Sequence, residues 1–317
     1  MNAKTAKEPP AASGPDLLGL GASTVDVLAR VERLPVEDEN MRALEISVQG
    51  GGPVATAIVT AARLGARTAM LDLLGDDWRG RLIRDEFQRE GVDVSGICFA
   101  GGASSPTSTI LVKEGSGARS IVWAPGEAPE LSPDDLPVAW IESARILHVN
   151  GRHWRACLQA VGLARAAGVQ VSFDGGAGRY RPELRELVPL VDVCIVAREF
   201  AARYTGEPDP QRAAAALLRA GPGLVVVTAG TQGSWVFPRD GQGFHQPAYL
   251  LEKAVDTTGC GDSYHGAFLF ARLQGYDLKR AASFASAVAA INSGRLGGRA
   301  GLPRFEQVQS FLAARGA

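Results

Sequence analysis

Asp256-Thr257-Thr258-Gly259-Cys260-Gly261-Asp262 places a carboxylate just beyond a turn that carries two glycines. Residues 263–271 follow as an apolar stretch without proline, so a helix is predicted to start here. The first amides of a helix have no intrahelical acceptor and carry partial positive charge. Such an end binds phosphate. Glycine at 259 and 261 lets the main chain approach an anion with no Cβ in the way. Asp262 would stand beside that anion, able to take a proton from an attacking hydroxyl. Phosphoryl transfer needs an anion cradle and a base side by side. A Gly-x-Gly-Asp turn taken alone is often only a capped helix. A cap has no need of Asp256, Thr257 and Thr258.

The same motif, continued through Gly266-Ala267-Phe268, resembles the C-terminal signature of the ribokinase-like (PfkB) carbohydrate kinases. Far upstream, Gly50-Gly51-Gly52-Pro53-Val54-Ala55-Thr56-Ala57 and Ala61-Ala62-Arg63-Leu64-Gly65 resemble the N-terminal glycine signature of that family. Two signatures in the expected order extend the resemblance over roughly residues 16 to 312. Asn150-Gly151-Arg152 is similar to the ketohexokinase branch, and residues 297–303 resemble the sulfofructose kinase branch.

Size and charge agree with an enzyme of that kind. The chain has 317 residues, 46% hydrophobic and 21% charged, enough for a large core. Basic and acidic residues number 33 and 34, so no basic surplus points to nucleic acid. No apolar run is long enough to span a bilayer, and residues 1–15 lack a signal-peptide core. Those residues read as a flexible tail, residues 16–317 as one kinase domain, and the setting as cytoplasmic. Cys98, Cys157, Cys194 and Cys260 form no CxxC pair, and His148, His153, His245 and His265 show no metal-ligand spacing. P-loop, dinucleotide-binding and nucleophile-elbow motifs are absent from the sequence.

Short apolar runs alternate with amphipathic segments. Strands are predicted at 17–21, 68–74, 145–149, 169–173, 191–196 and 224–228. Helices are predicted at 55–64, 79–90, 155–167, 182–190 and 210–220, with 261–273, 278–293 and 305–314 closing the chain. This rhythm predicts an α/β fold: a central, mostly parallel sheet flanked by helices. Segments 25–48 and 107–123 break the rhythm with strand-like alternation, the second around Glu114-Gly115-Ser116-Gly117. The resemblance implies that they form a small β-sheet lid over a sugar site and a homodimer surface. As edge strands of the main sheet they would have no such role.

The resemblance also implies a site. Asp262 would be the base, with the amides of Gly259, Cys260 and Gly261 as the anion hole. Asp26, at the end of the first strand, would bind sugar hydroxyls, with Gly51, Gly52, Thr56, Asn150 and Arg152 around it. Thr56 departs from the family's asparagine. Arg152 would suit an anionic sugar end, or pair with a structural carboxylate. Thr228, Gly230, Gly233, Thr258 and Asn292 would line the ATP side. Asp256 and Thr258 match a monovalent-cation position, for K+. Glu199 stands where an Asn-x-x-Glu motif is otherwise found and would reach Mg2+ through water. The implied activity is ATP-dependent phosphorylation of a primary hydroxyl on a ketohexose-type or anionic sugar. A nucleoside kinase and a non-catalytic sugar-binding protein are the alternatives.

Overall fold

The computed structural model describes residues 14–316. Residues 1–13 of the expected tail lie outside the described residues. In chain order the N-terminal part holds β1 (Leu17–Leu20), β2 (Thr24–Val31), β3 (Glu45–Gly51), α1 (Pro53–Leu64), β4 (Thr68–Gly75), α2 (Trp78–Arg89) and β5 (Ile97–Ala100). Next come β6 (Thr107–Lys113), β7 (Arg119–Ala124), α3 (Val138–Ser143), β8 (Ile146–Val149), α4 (Trp154–Ala166) and β9 (Gln170–Gly175). There follow α5 (Leu184–Leu187), β10 (Val193–Ala197), α6 (Arg198–Thr205), α7 (Pro210–Ala220), β11 (Leu224–Thr228), β12 (Ser234–Pro238) and β13 (Phe244–Gln246). The chain closes with α8 (Cys260–Leu273), α9 (Leu278–Asn292) and α10 (Phe305–Ala313).

Nine strands form the main sheet in the order β13-β12-β11-β10-β9-β8-β1-β4-β5. It is parallel from β11 to β5, and antiparallel only where β12 and β13 join its edge. Period-two alternation sends successive side chains to opposite faces. Leu17 therefore packs with Ile58 of α1, Phe268 of α8 and Phe284 of α9. Leu18 and Leu20 pack on the other side with Ala160 of α4, Phe200 of α6 and Leu217 of α7. Both faces are covered, which is why these strands are mostly apolar, with Asp72, His148 and Asp174 as buried exceptions.

The two irregular segments form a separate sheet, ordered β3-β2-β6-β7, and not an edge of the main one. Its pairs are antiparallel except β2 with β6. One face carries Leu28, Ile110 and Val112, which pack onto Leu296 and Val255 of the body. The predicted helix at 182–190 is shorter than expected: α5 gives way to one 3-10 turn over Val188–Leu190. Pro189 has no amide to continue the α-helical ladder. The sequence reading did not resolve β5, β12, β13, α3 and α6, all short. No helix among the described residues is long and apolar enough to cross a membrane.

Candidate active site

Helix α8 begins at Gly259, whose φ of 70° lies in the left-handed region that favours glycine. A Cβ at 259 would fall 2.6 Å from Gly298 Cα, so glycine also permits the contact between these two turns. At Gly261 a Cβ would meet nothing within 4 Å. That side of the helix start faces open space. The turn is held from below by Asp256, which is fully buried. Its Oδ1 accepts from the Thr258 amide at 2.8 Å and hydroxyl at 2.7 Å, and its Oδ2 from the Gly297 amide at 2.9 Å. The amide of Cys260 donates back to Thr257 at 3.3 Å, and that of Ser263 to Gly259 at 2.8 Å. Those of Gly259, Gly261 and Asp262 make no backbone hydrogen bond among the described residues. The Cys260 thiol turns inward toward the Ala289 carbonyl, and burial pushes its pKa up to about 12. It is no thiolate.

The Asp262 side chain keeps 21% exposure and lies 3.7 Å from Arg179, whose guanidinium is also 3.7 Å from Asp174. Desolvation raises the Asp262 pKa above the ordinary carboxylate value; Arg179 opposes this and Asp174 reinforces it. His265, three residues on and one turn deeper, lies 3.9 Å from Asp174. Burial pushes the pKa of both His265 and His148 down to about 4. The sequence reading missed Arg179, Asp174 and this pair of histidines.

Across the cleft, Asp26 on β2 is buried, accepts from the Thr24 hydroxyl at 2.8 Å, and has its pKa raised by desolvation. Glycine at 51 is required because a Cβ would fall 2.0 Å from Asp26 Oδ2. Gly52 caps α1 with φ 93°. Thr56 is not open to a ligand: it is buried, and its hydroxyl accepts from Arg299 Nε at 3.2 Å. Arg299 is 2% exposed and also donates to Glu86 at 3.0 Å and to the Gly51 carbonyl at 2.7 Å. It therefore holds the glycine strand from beneath. Asn150 accepts from the Arg152 amide at 3.1 Å. The Arg152 side chain pairs with Glu130 at 3.6 Å, the structural partner that sequence left open.

On the other side Thr228 ends β11, and Gly230 and Gly233 take φ of 55° and 86° in the turn that follows. A cleft of about 380 Å³ joins Ala229 and Gln232 of this turn to Arg198 and Glu199 of α6. Glu199 accepts from the Gly178 amide at 2.6 Å, which ties α6 to the loop carrying Arg179. Asn292 is buried and donates to the Gly298 carbonyl at 2.9 Å. The lid reaches the motif as well: Arg119 donates to the Thr257 hydroxyl at 2.7 Å. No local signal in the sequence marks that contact.

The fold, a small β-sheet beside a large, mostly parallel sheet flanked by helices, agrees with what the comparisons find. Residues 15–304 match the pfkB family carbohydrate kinase profile. The chain belongs to the pfkB family of carbohydrate kinases, and is a phosphotransferase of ribokinase-like fold. A nucleoside kinase of Methanothermobacter thermautotrophicus is 28% identical over 305 residues, covering 95% of this chain and 97% of that protein. Ketohexokinase of Mus musculus is 26% identical over 292 residues, covering 89% and 97%. The structure of Arabidopsis thaliana ribokinase complexed with ribose and ATP superimposes with a TM-score of 0.82 at 26% identity, covering 94% of this chain and 99% of that one.

Proposed function

We propose that this chain transfers the γ-phosphoryl group of ATP to a primary hydroxyl of a ketohexose-type sugar or an anionic derivative of one. The observation that carries the reading is the pair of unengaged amides at Gly261 and Asp262, on a helix start that is open at Gly261 and carries the partly exposed Asp262 carboxylate. Asp262 takes the proton of the attacking hydroxyl as its oxygen bonds to phosphorus, and the bond to the departing ADP breaks. The open amides of Gly259, Gly261 and Asp262 receive the charge that builds on the transferring group. Cys260 serves through its small buried side chain, since its own amide is engaged. Asp26, with the main chain of Gly51 and Gly52, holds the sugar, and Asn150 and Arg152 border it. Thr56 acts only through Arg299.

Thr228, Gly230, Gly233 and Asn292 shape the nucleotide side. Mg2+ arriving with ATP would neutralise phosphate charge. Glu199, with its side chain 44% exposed, is open to a water-mediated contact with that ion. Asp256 and Thr258 fit a clamp better than a K+ site: the carboxylate already accepts three hydrogen bonds. The outer lid face, with Ile46, Val48 and Val122 exposed, suits a homodimer contact. The enzyme would work in the cytoplasm, where ATP is supplied.

One observation favours a nucleoside acceptor as the second reading. Asp26, Ser108 and Trp123 are directly paired across the lid, so they share a face, and the Trp123 ring is 68% exposed. An open indole beside the acceptor site is a platform for a base as well as for a sugar face. ADP production across fructose, sulfofructose, fructose phosphates, ribose, 2-keto-3-deoxygluconate and purine nucleosides decides between them. A sugar should give the highest kcat/KM. Preference for a nucleoside moves the assignment to the second reading, and no ADP with any acceptor removes the catalytic role.

A further inference from the structure

Beneath the catalytic turn lies a group of side chains that the transfer reaction does not use. His148 on β8, Asp174 on β9 and His265 on α8 each place one ligand-type atom within 4.8 Å of the other two. All three are buried: 0%, 2% and 3% exposed. Four of their atoms have no hydrogen-bond partner: His148 Nε2, both carboxylate oxygens of Asp174, and His265 Nδ1. Leaving one buried polar group unpaired is costly, and a carboxylate more so. The cationic neighbour of Asp174, Arg179, is 42% exposed, stands 3.7 Å away, and is shared with Asp262 at the same distance.

The fold brings the group together for a simple reason. His148 is paired with Ser172 across the β8–β9 ladder, and Asp174 lies two residues beyond Ser172 on the same face. His265 enters from α8, one turn below Asp262. The sequence intervals between these residues match no metal motif, so the spacing test applied to the sequence passes over them.

We propose that His148, Asp174 and His265 form a binding site for one divalent transition ion of the Zn2+ type, distinct from any Mg2+ that accompanies a nucleotide. Two imidazole nitrogens and one carboxylate oxygen are a borderline donor set suited to zinc, and unsuited to Mg2+, which prefers oxygen throughout. Zinc bonds of about 2.0–2.2 Å put tetrahedral ligands about 3.4 Å apart. The His265–Asp174 separation of 3.9 Å needs only a small contraction to reach that. His148 Nδ1 lies 3.2 Å from Ser172 Oγ, so its proton can be donated there while Nε2 keeps a lone pair for the metal. The fourth position is left to water. The ion neutralises Asp174 and pins the first turn of α8, on which Asp262 rides.

The test reads binding rather than turnover, so it stands apart from the kinase reading. Tag-free full-length protein is stripped with a chelator, and Zn2+ affinity is measured against a chromophoric competitor. Retained zinc should reach one equivalent per chain, Tm should rise on loading, and Co2+ should give the intense visible bands of a four-coordinate site. Millimolar Mg2+ should not displace either ion. Ser172→Ala removes only the hydroxyl behind His148 and should weaken Zn2+ binding about 10–100-fold. Asp174→Asn and His265→Asn should weaken it beyond roughly 100-fold by the same reasoning. Should either fail to fold, the wild-type Co2+ spectrum and Ser172→Ala decide. Zinc that washes off the wild type, a six-coordinate Co2+ spectrum, or affinity unchanged in Ser172→Ala would overturn the site.

Discussion

Replacing Arg299 with methionine keeps the aliphatic stem and removes the guanidinium from a dry position. In the native chain that group is 2% exposed, donates to Thr56, Glu86 and Gly51, and lies 5.3 Å from the Phe87 ring centroid. The loss leaves Glu86, itself 11% exposed, with the Gly50 amide at 2.5 Å as its remaining contact from the glycine strand. Breaking a buried ion pair by removing one partner costs about 3–5 kcal/mol, most of it the stranded charge. For a chain of this length, roughly 2 °C per kcal/mol lowers Tm by about 6–10 °C. Urea unfolding followed by circular dichroism measures the loss directly. Adding Glu86→Gln to Arg299→Met should recover more than about 1 kcal/mol, because the stranded charge is gone; a double-mutant cycle isolates this coupling. With its clamp removed, the Gly51 carbonyl should drift, so KM for the acceptor rises while KM for ATP holds. A single variant within about 1 kcal/mol of wild type, or a double variant no more stable than the single, would refute the argument that this pair carries the glycine strand.

Further outcomes concern the catalytic turn. Asp262→Asn should lower kcat by about 10²–10⁴ with ATP affinity nearly unchanged, measured by coupled ADP assay and nucleotide titration. The same variant should be more stable than wild type at neutral pH. A carboxyl whose pKa is raised in the fold binds its proton more tightly there than in the unfolded chain, so its ionised form weakens the fold, and the gain should shrink as pH falls toward the unfolded value. In the wild type, kcat/KM should fall with decreasing pH on a limb above the usual aspartate range, because the base must be ionised; a limb at or below the ordinary value of 3.8 would contradict the burial argument. Gly259→Ala forces a Cβ into a residue with φ 70°, 2.6 Å from Gly298, and should cost about 1–3 kcal/mol in denaturant titrations while lowering kcat. Trp123→Ala should raise acceptor KM by up to about tenfold at little cost in stability, as expected for removal of an exposed ring platform.

What the sequence determined by itself is local or periodic. The doubly covered sheet was legible because strands buried on both faces are predominantly apolar: β1 is apolar at every position, and β4 is broken only by Thr68 and Asp72. The α8 start was legible because glycines, threonines and two aspartates crowd into seven residues that one backbone turn brings together. Tertiary structure alone decided the partners of side chains far apart in the chain. Arg299 and Glu86 meet across 213 residues, and Arg119 and Thr257 across 138. Neither pair leaves a trace in local spacing, because the strand order of the sheets and the packing of the lid set those distances. Thr56 shows the consequence: its place in the glycine signature suggested a ligand contact, yet the arginine packed beneath it takes its hydroxyl. His148, Asp174 and His265 converge for the same reason, through one ladder pairing and one helix laid across it.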